Sequence, residues 1–139
     1  QHDTHQFPLT PPVQLLYALD RALDELLAEG VALRIARYRE LYQVMTAGMQ
    51  AMGFQCLVEK QHHSKLLTTF LAPSDPAYQF EIMHDYLYAR GITIYPGKVL
   101  EQDTFRVANI GDLQPSDMNA FLLALQAYQK EFGVKISSS

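Results

Sequence analysis

At Gly53 the rhythm of apolar residues changes, and no other feature of the chain limits its fold as much. Before it, Leu16, Leu19, Leu23, Leu26 and Leu27 recur at helical spacing, and so do Tyr38, Leu41, Tyr42, Met45, Met49 and Met52. After it, Phe54, Cys56 and Val58 alternate with polar neighbours, the spacing of an extended strand. A chain that opens with two amphipathic helices and then turns to strands must pack the helices against a sheet.

Punctuation residues place the remaining elements. Thr10-Pro11-Pro12 reads as a helix start, with Thr10 as the cap and proline in a first turn that has no intrahelical N–H to lose. Gly30 separates the first helix from a second, over 32–52, whose Arg34, Arg37, Arg39 and Glu40 are expected in solvent. Residues 66–71 (LLTTFL) read as a second strand after the polar loop KQHHS. Asp75-Pro76 reads as the start of a helix carrying Phe80, Met83 and Leu87 inward. ITIY (92–95) and DTFRVANI (103–110) read as two further strands flanking a turn at Pro96 and Gly97. A last helix opens at Pro115, with Asp117 suited to the positive end of its dipole, and Gly133 ends it. The tail VKISSS reads as frayed. Short connections favour an α+β fold: a small antiparallel or mixed sheet of about four strands with helices on one face. The 139 residues suit a single domain spanning 1–139.

Composition removes several classes of function. A net charge of −4 with no lysine or arginine run argues against nucleic acid as a partner. No apolar segment reaches membrane-spanning length, and the polar start QHDTHQ is not a signal peptide. The single cysteine, Cys56, excludes internal disulfides, fits a reducing, cytoplasmic compartment and reads as core.

Catalytic constellations are lacking. The sequence has no glycine-rich phosphate loop, no nucleophile elbow and no Cys/His set at zinc spacing. His2 and His5 lie in an aperiodic terminus, and the adjacent His62 and His63 suit a loop better than a metal site. His84 reads as a packed histidine. Lys98, beside the Pro-Gly pair, is the lysine best placed near a site. Two binding features remain. The hydroxyl of Thr10 and the free N–H groups of a helix start suit a phosphate. On the strand 103–110, Phe105 and Val107 share one side, so Arg106 points to the other, where it could clamp an acidic group in bidentate fashion. The competing reading of Arg106 is a surface arginine on the outer face of a half-buried sheet.

LTPPV, LDELLAEG, ARYRELYQVMTAGMQAMGF, RGITIYPGK and DTFRVANIGDLQPSDM, in that order, resemble the C-terminal part of the class V pyridoxal-phosphate aminotransferases. The branch acting on 2-aminoethylphosphonate and pyruvate is the nearest, with the alanine–glyoxylate (serine–pyruvate) branch close to it. The resemblance spans roughly residues 7–133. It implies the small C-terminal domain of a fold-type I enzyme whose large domain, with the cofactor-bearing lysine, precedes this chain; the abrupt start fits a piece of a longer protein. It implies pyridoxal 5'-phosphate as the cofactor of the whole enzyme, with no cofactor bound to this piece alone, and an amino donor and a keto acid as its small-molecule partners. It also implies a homodimer. Arg106 is implied to bind the acidic group of the substrate, and Thr10 to help hold the cofactor phosphate across the dimer interface. Phe7 stands where some relatives carry a phosphate-binding tyrosine, and Ala108 where family members often carry glycine. The Ala108 methyl puts fine substrate preference in question. A free-standing module that senses a small acid through Arg106 is the rival from another class.

Overall fold

A computed structural model describes residues 10–99 and 101–136. These fall into two compact units, one up to Ile35 and one from Ala36 onward.

The first unit holds helix α1 (Val13–Glu29) and the opening of α2 (Val31–Ala51). The cap of α1 is Pro12, not Thr10: the backbone N–H groups of Leu15 and Leu16 donate to the Pro12 carbonyl. Proline ahead of the first turn fixes the entry, and the Thr10 hydroxyl is left outside the helix. No residue of α1 is buried, so the leucine stripe read from the sequence faces outward, with Leu19 55% and Leu23 47% exposed.

The second unit contains the core. Its sheet has the order β1-β3-β2, with β1 Leu67–Leu71, β2 Tyr95–Val99 and β3 Gln102–Ala108, all antiparallel. Helices α2, α3 (Phe80–Tyr88) and α4 (Pro115–Phe132) supply Leu41, Met45, Met49, Met83, Leu87, Phe121 and Leu125 to the core. The sheet supplies Phe70, Phe105 and Val107. Phe105 is fully buried, with the rings of Phe54 and Phe70 at 5.5 and 5.6 Å. Gly48 permits the close approach of two helices, because a Cβ there would collide with the Leu122 side chain of α4. Such a contact justifies a glycine that costs about 1 kcal/mol in a helix interior.

Among the described residues the sheet has three strands rather than about four. The expected strand at 54–58 is reduced to a single bridge, Cys56 with Phe70, held by Leu57 N–H to the Thr69 carbonyl and Leu71 N–H to the Gln55 carbonyl, both at 2.9 Å. Alternation was present, but the chain leaves the ladder for a 3₁₀ turn over Lys60–His62 before more rungs can form. The turn expected at Pro96-Gly97 is also displaced. Both residues lie within β2, paired to Phe105 and Thr104, and the hairpin reverses between Val99 and Gln102. Proline is tolerated there because β2 is an edge strand, where a missing N–H breaks no ladder bond. Of ITIY, only Tyr95 is in the strand.

Three local readings change for reasons of hydrogen bonding. Asp75 does not cap α3, whose cap is Gln79. Its carboxylate instead accepts from the Ala77 N–H at 2.8 Å and from the Lys135 N–H at 2.7 Å, tying a turn to the C-terminal segment. Arg37 is not merely solvated: its Nη1 donates to the carbonyls of Gly111 and Leu113. Val134, in the tail expected to fray, is buried in the core beyond the left-handed Gly133. The start of α4 follows expectation, with Pro115 in its first turn and a reciprocal Gln114–Asp117 capping box.

The bonds from Ala77 and Lys135 hold the Asp75 carboxyl below the usual carboxylate range. A carboxyl lowered in the folded state adds stability above its ordinary pKa and loses it as pH falls through the lowered value. Thermal melts of wild type and Asp75→Ala should therefore differ most near neutral pH and converge under acid conditions. A gap that persists at low pH would rule out this linkage.

Candidate functional site

Arg106 occupies the middle of the central strand. The register sets it opposite Tyr95 on one side and Thr69 on the other, on the face away from Phe105 and Val107. Those two neighbours are buried against the helices and Arg106 is exposed, so the core fixes the strand while the guanidinium stays on the outer face. Gly97, Thr104 and Ala108 share that face. Arg106 Nη2 donates to the Pro96 carbonyl at 3.1 Å. Among the described residues no carboxylate forms an ion pair with it. With one N–H engaged, four donors of the planar guanidinium remain for an acidic ligand.

The loop after β3 is held by a polar net that the sequence reading missed. Asn109 is fully buried; its Nδ2 donates to the carbonyls of Tyr38 and Lys65, both at 3.0 Å, and its backbone N–H donates to the Leu66 carbonyl. The Gly111 N–H donates to the Tyr38 hydroxyl at 3.2 Å. Together with Arg37, these bonds anchor the end of the arginine-bearing strand to α2. The only signal in the sequence is an asparagine three residues after Arg106, at the end of a strand.

Lys98 is not brought to Arg106. It pairs with Asp103 and lines a cleft of 860 Å³ with Ser74, Tyr78, Glu81 and Asp103, a cleft that Gly97 and Thr104 also border. Burial raises the Tyr78 hydroxyl pKa there, with Tyr128, Glu81 and Asp103 adding to the effect. His62 ends the 3₁₀ turn, and His63 follows it. The Val58 carbonyl can only accept, so His63 Nε2 carries the proton, and Nδ1 accepts from the Tyr42 hydroxyl; both contacts are 2.7 Å. His84 stacks on Tyr88 with ring centroids 5.7 Å apart. Cys56 is half-buried, and burial raises its thiol pKa, which suits a structural thiol. His2, His5 and Phe7 lie outside the described residues.

Comparison with known proteins places this arrangement. Over 125 residues the chain is 44% identical to a 2-aminoethylphosphonate–pyruvate transaminase of Syntrophobacter fumaroxidans, matching 89% of this chain and 34% of that protein. Over 126 residues it is 40% identical to the enzyme of the same name from Salmonella paratyphi B, with the same coverage. The chain thus spans about a third of the length of the curated relatives it matches. No family model matches. Among solved structures, pyridoxamine–pyruvate aminotransferase from Mesorhizobium loti superposes with a TM-score of 0.81 at 27% identity, over 96% of this chain and 34% of that one. The chain is similar to a C-terminal part of class V pyridoxal-phosphate aminotransferases. An alanine–glyoxylate aminotransferase from Nostoc shares the fold, with a TM-score of 0.79 at 22% identity over 91% of this chain and 34% of that one.

The described residues fit pyridoxal phosphate in part. Thr10 is exposed, its hydroxyl is not used as a helix cap, and the first turn of α1 has no acidic residue to repel an anion. The lysines do not fit the other end of the cofactor. Lys60, Lys65, Lys98, Lys130 and Lys135 are all exposed, whereas a lysine that bonds the cofactor needs a desolvated or electropositive setting to lower its pKa.

Proposed function

We propose that this chain is the C-terminal, substrate-side part of a pyridoxal-phosphate aminotransferase that moves the amino group of 2-aminoethylphosphonate onto pyruvate, giving phosphonoacetaldehyde and alanine. The observation that carries this reading is the 44% identity to a transaminase of that name over nearly nine-tenths of the chain. Residues 1–139 act as one C-terminal piece, in which the unit from Ala36 is the small domain and the residues before it lead in. The cofactor supplies the electron sink at the amino carbon. Arg106 binds and orients the phosphonate of the donor and the carboxylate of the acceptor in turn, using charge-assisted hydrogen bonds. Thr10 holds the cofactor phosphate, across the interface of a cytoplasmic homodimer.

Joining the chain to the segment that precedes it in its gene and assaying a substrate panel tests this reading. Expected are the highest kcat/KM with 2-aminoethylphosphonate and pyruvate, and no cofactor absorbance or transamination from the 139 residues alone. Faster turnover of alanine with glyoxylate, or of serine with pyruvate, would move the enzyme to that branch. Ala108 gives this second reading its support, since its methyl lies on the same face as Arg106 and two residues from it. Acid binding by the chain with no transamination by the joined protein would favour a free-standing sensor module.

A further inference from the structure

The Pro-Gly pair expected to turn the chain instead lies under the arginine. Gly97 faces Thr104 across the β2–β3 ladder, one position along from the Tyr95–Arg106 pair. A Cβ on Gly97 would lie 2.6 Å from Thr104 Oγ1 and 3.7 Å from Arg106 Nε. The space a side chain would fill is therefore bordered by the hydroxyl of Thr104 and the guanidinium of Arg106. Arg106 Nη2 meanwhile reaches the carbonyl of Pro96, the residue just before Gly97. The arginine side chain thus crosses from β3 over the bare backbone of β2 and is held at its far end. Thr104 is only 4% exposed and its hydroxyl has no hydrogen-bond partner among the described residues.

We propose that Gly97 is a positioning residue: its missing side chain, walled by Thr104, forms the seat that sets the orientation of the Arg106 guanidinium. No conformational peculiarity explains glycine here. Its φ lies outside the left-handed region, and an edge strand favours a β-branched residue on local propensity alone. What glycine provides is room. A guanidinium resting in a fixed place loses less freedom when it takes up an acid, so the seat converts a flexible arginine into a preformed clamp. This inference rests on Arg106 being the acid-binding group, and the two ideas fail in different ways.

The test uses the ¹⁵N-labelled 139-residue chain, with methylphosphonate and acetate as probes. Gly97→Val places methyl groups in the seat. The Arg106 Nε–H resonance should shift in this variant without any ligand, and methylphosphonate affinity should fall about tenfold. Arg106→Ala should abolish most of the binding, and Gly97→Val should cause no further loss in that background, because a residue acting only through Arg106 has nothing left to position. Gly97→Ala, with a smaller intrusion, serves the same comparison if the valine variant does not fold. An unshifted Nε–H signal overturns the seat and leaves Arg106 as the clamp. A loss that persists undiminished in the Arg106→Ala background also overturns it, reducing Gly97 to a structural role. If Arg106→Ala binds both probes as wild type does, the clamp fails and the seat has no function to serve.

Discussion

Under the proposed function, Arg106→Ala in the protein joined to its preceding segment should lower kcat/KM for 2-aminoethylphosphonate by roughly 30- to 1000-fold, about 2–4 kcal/mol of lost charged contact. The loss should appear with pyruvate as well, because the proposed clamp would take both acids in turn. The melting temperature should hardly change. Arg106 is exposed on the outer face, and its single described hydrogen bond is to the Pro96 carbonyl, so truncation opens no cavity and leaves one backbone acceptor to water. Surface changes of this kind fall within about 0.5 kcal/mol of neutral. Steady-state kinetics and a thermal melt on the same preparation separate the two effects. An unchanged kcat/KM would remove Arg106 from the substrate site.

The adjacent residue should behave in the opposite way. Phe105→Ala should destabilise the unit from Ala36 onward by about 3–5 kcal/mol, as expected for a large aromatic side chain removed from a closed core. Phe105 is fully buried, stacked on Phe70 at an interplanar angle of 25° and edge-on to Phe54 at 80°. Aromatic pairs add about 0.5–1.5 kcal/mol beyond area burial, which places the expected loss toward the upper end. Denaturant unfolding followed by circular dichroism reads this directly. A loss below about 1 kcal/mol would mean that the three rings do not form a cooperative centre. Successive residues of one strand thus face the core and the open side of the sheet, because alternate side chains take opposite faces.

That alternation is why Arg106 could be located from the sequence: FRV at period two places the arginine outside whatever the rest of the chain does. Two helices were largely legible, since α2 and α3 bury Leu41, Tyr42, Met45, Met49, Met83 and Leu87 as their spacing predicted, with Tyr38, Met52 and Phe80 half-buried. Three features depended on tertiary structure and were not. Phe54, Cys56 and Val58 alternate as a strand should, yet ladder formation needs a partner of equal length, and the chain turns away after one bridge. Pro96-Gly97 has the local chemistry of a turn, but the hairpin register places it inside an edge strand. Asp75 has the chemistry of a helix cap, yet one of its acceptor sites is taken by Lys135, sixty residues away, a contact no local pattern encodes. Asn109 was not legible for the same reason: its role lies in the Tyr38 and Lys65 carbonyls that it approaches.

Pro96 has one further consequence, for the behaviour of the chain in company. Three antiparallel strands leave two rims, and an open rim of N–H and C=O groups invites a foreign strand to add on. On the β1 rim, the Gln55–Leu57 segment already occupies the groups of Thr69 and Leu71. On the β2 rim, Pro96 has no N–H to offer, and its carbonyl is taken by Arg106. Among the described residues neither rim presents an unbroken row of donors and acceptors, an arrangement that opposes the strand-by-strand growth of amyloid-like aggregates.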